Sequence, residues 1–434
     1  MTAPVLFCLQ SGLILLVLFM LPFRCKGSML RLFAVGFIVS SVWFFAMHFT
    51  PQIFDVQSDS LKYIEYSKAI SLHWSGKEVY MQEYPLQGLL IRNIEVWQPE
   101  SSLPIVSVLG TQHIVYHLFL AVWQTVTADV FWLKAANIPF MAACFPLTLF
   151  LASALFAPKH RLVFFPCVLL AFNSAFYALG SVVLRDTIIT FLVLLLFAFL
   201  TSYWRFVRKS YLIGIMFVIM IFMGLRYHFG LLFFLAAVGM FLLLYLMPNR
   251  KDSRSFFAIR RIKLKFFFIA LFSLLGVLMG DIVLLGWDTI LGSFGLALYD
   301  GGMANGVANG VANGRVNFFI GIVRTLFAPY PWVAIYPGLT WESYYELFLL
   351  GSFIFILFLP VLFIGLHTIL QRRLLLQIFI LFFIALVAAA YFVAFGEFST
   401  RQRESVMPYL WVVVAFGIKQ ILDKREVSKG SRNA

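Results

Sequence analysis

Charged residues are scarce in this sequence. They make up 12% of 434 residues, whereas hydrophobic residues make up 62%, and acidic residues (19) are fewer than lysines and arginines (33). A soluble protein of this composition would expose too much apolar surface, so a soluble globular fold is excluded. The apolar residues form repeated runs near the roughly 20 residues that cross a bilayer as a helix. The composition therefore predicts an all-α, polytopic membrane protein.

Cysteine is also rare, and several catalytic motifs are absent. The four cysteines are Cys8, Cys25, Cys144 and Cys167, and none forms a CxxC pair. A disulfide framework and a zinc site are therefore not supported. The Walker A, GxSxG, HExxH and Rossmann fingerprints are missing as well. These patterns predict no metal centre and leave the cofactor unknown; whether a divalent cation assists stays open.

The basic residues lie mainly in short turns between the apolar runs. In a soluble protein, a formal net charge of +14 would suggest nucleic-acid binding. In a membrane protein, the same excess follows from the positive-inside rule, by which lysine and arginine collect in cytoplasmic turns. We therefore expect no nucleic-acid partner. Placing the strongly basic turns in the cytoplasm predicts a single integral domain, 1–434, in a bacterial inner membrane, with a cytoplasmic C-terminus. About eleven transmembrane helices result, at 5–22, 29–49, 130–156, 162–178, 187–203, two within 211–247, 266–286, 346–370, 374–395 and 406–421.

Two long segments are predicted outside the cytoplasm. The first, 51–129, collects acidic residues that are rare elsewhere. Its apolar stretch 112–126 is short, and letting it cross would invert every later basic turn, so we interpret it as an interfacial helix. The second segment, 288–345, contains an Asn-Gly repeat at 304–315, which is typical of a flexible loop; a mobile flap is the functional alternative.

Ionisable residues at span ends are costly near the membrane core and are functional candidates for that reason. Arginine suits phosphate through its planar fork of donors, and a carboxylate can act as a general base toward a hydroxyl. On the predicted outer side we select the catalytic candidates Asp59 and Asp55, and the substrate-binding candidates Arg185, Asp186, Arg226, His228, Arg401 and Arg403.

Each candidate also has a purely structural interpretation. Asp59 could cap a short helix. Arg185 and Asp186 could form an ordinary ion pair that closes a loop. Arg226 and His228 could be snorkelling groups at a helix end. The sequence alone leaves these alternatives open.

Five stretches together resemble the GT-C superfamily of membrane glycosyltransferases. These are FDVQSDSLKYIEYSKAI (54–70), HIVYHLFLAVW followed by FWLKAANIP (113–139), VLRDTII (183–189), GLRYHFG (224–230) and RQRESVMPYL (401–410). The first is similar to the acidic outer loop of that family, although the paired Asp-Glu of the family is Asp59-Ser60 here. The resemblance covers most of 29–247 and the last span. The chain departs from the family in having one extra N-terminal span and no large soluble C-terminal domain.

The resemblance implies an inverting glycosyltransferase. The donor would be a sugar or oligosaccharide on a polyprenyl phosphate or pyrophosphate, and the acceptor a surface glycan or a lipid. Asp59 would be the general base, Asp55 and Asp186 would support it or hold a divalent ion, and Arg226, Arg401 and Arg403 would bind the carrier phosphate. A surface-polysaccharide polymerase is the alternative within this class. A transporter or lipid flippase is the alternative from another class, but the inverted repeats that it predicts are not evident.

Overall fold

The computed structural model describes residues 2–23, 26–49, 79–86, 89–96, 114–156, 160–246, 262–280, 342–395 and 400–430, together with position 282 and several positions between 63 and 75. Asp55, Asp59 and most of the second long segment lie outside the described residues. Within the described part, the protein is predominantly α-helical, as predicted.

The N-terminal half contains the helices α1 (Ala3–Met20), α2 (Lys26–Phe49), α3 (Ile114–Gln124), α4 (Val130–Ala135), α5 (Ile138–Leu155), α6 (Phe165–Ala171), α7 (Ser174–Gly180) and α8 (Asp186–Phe206). A 3-10 turn, Arg161–Phe164, precedes α6. The C-terminal half contains α9 (Lys209–Leu246), α10 (Ile262–Gly280), α11 (Glu342–Gln371), α12 (Leu375–Phe395), α13 (Thr400–Glu404) and α14 (Met407–Gly430).

One β-hairpin, which the sequence analysis did not predict, lies in the first long segment. Strands β1 (Val79–Leu86) and β2 (Leu89–Val96) are antiparallel, with Val79 opposite Val96 and Leu86 opposite Leu89. Its charged and apolar residues do not alternate cleanly, which hides the period of two that marks a strand.

Eight helices of the described part are long and apolar enough to cross a membrane. The protein is therefore a multi-pass membrane protein, but the predicted number of eleven spans is not confirmed. Eleven would also require α9 to cross twice, the bent pair α6–α7 to cross as one broken span, and the charge-rich α14 to cross. The pair α6–α7 is bent by 54°.

Helix α8 is the centre of the bundle. Every residue from Asp186 to Tyr203 is buried, as expected for a helix that is apolar on all sides. It packs against α5 on one side and α9 on the other. By contrast, α1 presents large side chains such as Leu13 and Leu16 outward, which is typical of a lipid-facing surface. Because α8 has no lipid-facing side, the residues at its two ends contact several other helices.

Three basic side chains from different turns lie at one end of the bundle. They join neighbouring helices there: Lys265 Nζ donates to Trp204 O at 2.7 Å, Arg205 Nη2 to Ser153 O at 3.3 Å, and Arg372 Nη2 to Gln420 Oε1 at 2.6 Å. We call this the basic end. The candidates Arg185, Asp186, Arg226 and His228 lie at the opposite end, because Arg185 and Asp186 begin α8 whereas Trp204 and Arg205 finish it.

Candidate functional site

Helix α9 reverses direction at Arg226. As a straight helix its 38 residues would extend about 57 Å, nearly twice the roughly 30 Å hydrocarbon core. The backbone of Arg226 is not helical, with φ −156° and ψ 82°. Gly230 lies next to Ile219 and Met223, since a Cβ added to Gly230 would be 3.1 Å from the Met223 sulfur. In a straight helix, Ile219 and Gly230 would be about 16 Å apart. The predicted break in GLRYHFG is confirmed.

A buried ion pair forms where this turn meets the start of α8. Arg226 Nη2 lies 2.7 Å from Asp186 Oδ1, and the two side chains are 5% and 4% exposed. Arg226 Nη1 donates to the Tyr391 hydroxyl at 2.7 Å, and His228 Nε2 is 2.8 Å from the same oxygen. Arg226 and His228 therefore both contact Tyr391 of α12, and Arg226 links Asp186 to this pair.

Arg185 extends this cluster toward the first long segment. Its Nη1 donates to the Leu225 carbonyl oxygen at 2.9 Å, next to the turn at Arg226. Its guanidinium carbon is 5.9 Å from the ring centroid of Tyr63, within the range of a cation–π contact. The Tyr63 ring is buried and packs edge-on against Tyr116 of α3 at 5.0 Å. Residues from the first segment, α3, α8 and α9 thus converge at this end, and we call Arg185, Asp186, Arg226, His228, Tyr391 and Tyr63 the arginine cluster.

The short helix α3 forms one wall beside the cluster. Its 11 residues extend about 16 Å, too short to cross a membrane, which agrees with the predicted non-spanning helix. His117 of α3 lies 5.4 Å from the Tyr63 ring and is only 2% exposed. Burial lowers the pKa of His117 to about 3, so its imidazole is neutral at physiological pH. The positive charge beside Tyr63 therefore comes from Arg185.

A second polar cluster lies at the break between α6 and α7. Asn173 Nδ2 donates to Glu404 Oε2 at 2.6 Å, and the Arg403 guanidinium lies 4.5 Å from the Phe355 ring centroid. Burial lowers the pKa of Arg403 to about 10, against the opposing effect of Glu404, so this side chain stays charged at neutral pH. Because α13 packs against both α7 and α8, the second cluster is a neighbour of the arginine cluster.

Glu404 is expected to make stability depend on pH. Burial raises the pKa of Glu404 to about 7, opposed by Arg403 and by the hydrogen bond from Asn173. The pKa of Glu404 is therefore higher in the folded state than in the unfolded state, where it is near 4.3. Such a group contributes its full stability below the unfolded-state pKa, and this contribution is lost as the pH rises through about 7. The thermal midpoint of the purified protein should therefore fall between pH 5 and 8, and Glu404→Gln should flatten this slope.

The control for this measurement is Asp423→Asn on α14. Asp423 pairs with Lys419 within one helix and is 43% exposed, so its removal should change the slope little. Equal slopes for the wild type and Glu404→Gln would show that Glu404 does not titrate in this range.

The outcome for the sequence candidates differs from residue to residue. Asp186, Arg226 and His228 come together, with Arg185 beside them. Arg403 belongs to the second cluster, so the predicted clamp of Arg226 with Arg403 and Arg401 remains a prediction. The side chain of Arg401 and both carboxylates Asp55 and Asp59 lie outside the described residues. Within the described ranges, no group of three or more His, Cys, Asp or Glu residues could hold a metal ion.

The sequence analysis did not select Tyr391 of the arginine cluster or Asn173 of the second cluster as candidates. Tyr391 lies in the apolar run of α12 and Asn173 lies between the two apolar segments of α6 and α7. A polar side chain inside an apolar span is itself a functional signal, and this signal applied to both. Neither residue stands near another candidate in the sequence, so their partners could not be named.

An apolar groove leads along the bundle to the arginine cluster. It has a volume of about 870 Å³ and is lined by side chains of α1, α3, α5, α8 and the first half of α9. Its lining on α9 runs from Ser210 to Leu225, about 22 Å. Ile188, one helical turn after Arg185, and Leu225, whose carbonyl accepts the Arg185 hydrogen bond, both line it. The groove therefore ends beside a guanidinium group.

Neither a scan against protein-family models nor a search of curated proteins found a match for this chain.

Proposed function

We propose that this protein is a membrane glycosyltransferase that takes a sugar or oligosaccharide from a polyprenyl phosphate or pyrophosphate carrier. The acceptor is a surface glycan or a lipid, and transfer occurs at the extracytoplasmic face. The observation that carries the proposal is the apolar groove that ends at Arg185. A molecule with a long hydrocarbon tail and an anionic head matches this combination.

The groove is longer than one leaflet of a bilayer. Its length of about 22 Å on α9 exceeds half of the roughly 30 Å hydrocarbon core. The acyl chains of an ordinary phospholipid occupy one leaflet, whereas a polyprenyl chain extends beyond it. The groove therefore favours the longer lipid, whose phosphate would lie near Arg185.

The arginine cluster has the electrostatics that such a phosphate requires. Arg226 already shares its Nη atoms between Asp186 and Tyr391, so its charge is largely balanced and its position is held. Arg185 donates to the carbonyl oxygen of Leu225, a residue that lines the end of the groove, so its guanidinium group lies where the head of a bound lipid would be. We assign the carrier phosphate to Arg185 first, with Arg226 behind it and Arg401 as a further predicted contact.

The chemical step needs one base and one stabilised leaving group. The base removes the proton from an acceptor hydroxyl, the oxygen forms a bond to the anomeric carbon, and the bond from that carbon to the carrier phosphate oxygen breaks. The configuration inverts, and the leaving phosphate takes up negative charge that arginine stabilises. We assign the base to Asp59. The covalent chain keeps it within about 14 Å of Tyr63, which contacts Arg185.

Narrowing the groove is expected to weaken carrier use. Leu13 lines the groove and is 64% exposed, whereas Leu16 on the same helix is 61% exposed and is not among the lining residues. Leu13→Trp should raise the KM for a long-chain polyprenyl donor about tenfold, because excluding about two methylene groups forfeits roughly 1.6 kcal/mol. Leu16→Trp is the matched control. The measurement is transfer of radiolabelled sugar by the purified protein.

The same assay tests the proposed function itself. No transfer from any polyprenyl-linked donor to glycan or lipid acceptors would contradict the glycosyltransferase. Carrier movement across vesicles without a new glycosidic bond would favour a flippase, and products of many repeats would identify a polymerase. If Leu13→Trp and Leu16→Trp have equal KM values, the groove does not hold the carrier tail.

A further inference from the structure

A second cavity lies at the basic end, and the groove and this cavity share no lining residue. It has a volume of about 340 Å³ and lies between the ends of α5 and α8 and the turn from α11 to α12. The residues that line it include Trp204, Arg205 and Arg373, and the two arginines come from turns far apart in the sequence. Among the described residues that line it, none is acidic. Two guanidinium groups around one cavity therefore create a site that favours an anion.

A third cation supports the same wall. Lys265 of α10 lies 4.8 Å from the Trp204 ring centroid and donates to the Trp204 carbonyl oxygen at 2.7 Å. Arg205 also donates to Ser153 O at 3.3 Å, which fixes its guanidinium group beside α5. The positive charge at the cavity is thus held by contacts from α5, α8 and α10.

The backbone is strained at one residue that lines this cavity and at another that follows a lining residue. Within the described part of the chain, Val207 (φ 54°) and Arg373 (φ 51°) are the non-glycine residues with positive φ. Val207 follows Arg205 by two residues, and Arg373 itself lines the cavity. Such backbone is unfavourable for side chains with a Cβ, most of all for β-branched valine, and it clusters at functional sites.

Arg373 occupies a position where glycine is usual. The Leu374 amide donates to Ile369 O at 3.1 Å, and the Arg373 amide donates to Leu370 O at 3.0 Å. These two hydrogen bonds form a Schellman motif at the end of α11, in which the position of Arg373 is commonly glycine. An arginine there costs stability, yet it brings a charge to the cavity. The backbone conformation favours glycine at position 373, so we attribute the presence of arginine there to its charged side chain.

We propose that this cavity binds the phosphate of an anionic lipid headgroup in the leaflet at the basic end. Leu374 and Leu375 add apolar walls beside the two arginines, which suits a phosphate diester joined to glycerol and acyl chains. The cavity is large enough for one headgroup, since small-molecule sites begin near 300 Å³. Basic pockets between membrane helices are suited to such lipids. This site is separate from the proposed catalytic function.

The test uses the full-length protein in a neutral detergent and short-chain lipids. Dioctanoyl phosphatidylglycerol should raise the thermal midpoint in a saturable way, since binding to the folded state stabilises it. Dioctanoyl phosphatidylcholine and glycerol 3-phosphate should not. Arg373→Gly should raise or preserve the midpoint without lipid, because it relieves the positive φ, while weakening phosphatidylglycerol binding about tenfold or more.

Val207→Gly is the matched control. It relieves the same kind of strain, two residues after Arg205, without removing a charge, so it should keep wild-type lipid affinity. Arg205→Gln should weaken binding as Arg373→Gly does. Unchanged affinity in Arg373→Gly, or equal shifts from phosphatidylcholine, would overturn the site. Equal shifts from glycerol 3-phosphate would overturn the lipid headgroup as its ligand.

Discussion

Asp59→Asn is expected to lower sugar transfer by about 100- to 10,000-fold, the range for losing a general base. Thermal stability should change little, because losing a helix cap costs only about 1 kcal/mol. The two interpretations of Asp59 therefore separate in one experiment that measures transfer rate and thermal midpoint on the same preparation. A structural cap would lower the midpoint slightly and leave the rate near the wild-type value.

Asp186→Asn is the informative comparison, because it is expected to lower stability strongly, whereas Asp59→Asn is not. Asp186 pairs with Arg226 inside the protein, at 2.7 Å. Breaking a buried ion pair by removing one partner costs about 3–5 kcal/mol, a large share of the 5–15 kcal/mol that stabilises a typical domain. Asp186→Asn should therefore lower the thermal midpoint first, and reduce transfer because Arg226 is displaced.

The double variant Asp186→Asn with Arg226→Gln separates the effect of the ion pair on stability from the effect of Arg226 on transfer. Replacing both charged groups by neutral amides removes the buried ion pair as a unit, so most of the stability should return. Transfer should stay low, because the arginine is gone. If Asp59→Asn keeps near-full activity while Asp55→Asn or Asp186→Asn is inactive, the base is misassigned. Full activity in all three would contradict the proposed mechanism.

Valine at Gly365 or Gly417 is expected to destabilise the fold strongly and to lower the yield of folded protein. These glycines face each other where α11 crosses α14: a Cβ on Gly417 would be 2.3 Å from Val361 O, and one on Gly365 would be 2.4 Å from Val413 O. The obstacles are backbone atoms, which cannot rotate away, so the helices would have to separate. We expect a cost of about 3 kcal/mol or more, at the upper end of the range for overpacking.

Gly12→Val is the control for this prediction. Gly12 lies in α1, and nothing would contact its added Cβ within 4 Å. The measurement is the yield of monodisperse, folded protein after extraction and its thermal midpoint. Because α11 carries Phe355 and α14 directly follows Arg403 and Glu404, failure of this crossing would also displace the second cluster. Normal yield from Gly417→Val would show that the two helices are not packed this closely.

The sequence determined the features that depend on local hydropathy and charge. These are the multi-pass helical class, the short helix α3 and the break at Arg226. Apolar runs of sufficient length must form helices in lipid, because every backbone polar group needs a partner there. An arginine with a histidine two residues later, flanked by glycines, interrupts such a run. The hairpin β1–β2 was missed, since its sequence lacks a clear alternation.

Only the tertiary structure decided which polar groups meet. Asp186 and Arg226 are 40 residues apart, Arg226 and Tyr391 are 165 apart, and Asn173 and Glu404 are 231 apart. Helices in a membrane gain little hydrophobic energy from one packing arrangement over another, so small residues and polar contacts choose their neighbours. Gly365 and Gly417 allow one such close approach. These long-range choices leave no local trace in the sequence, which is why it could nominate candidate residues but could not pair them.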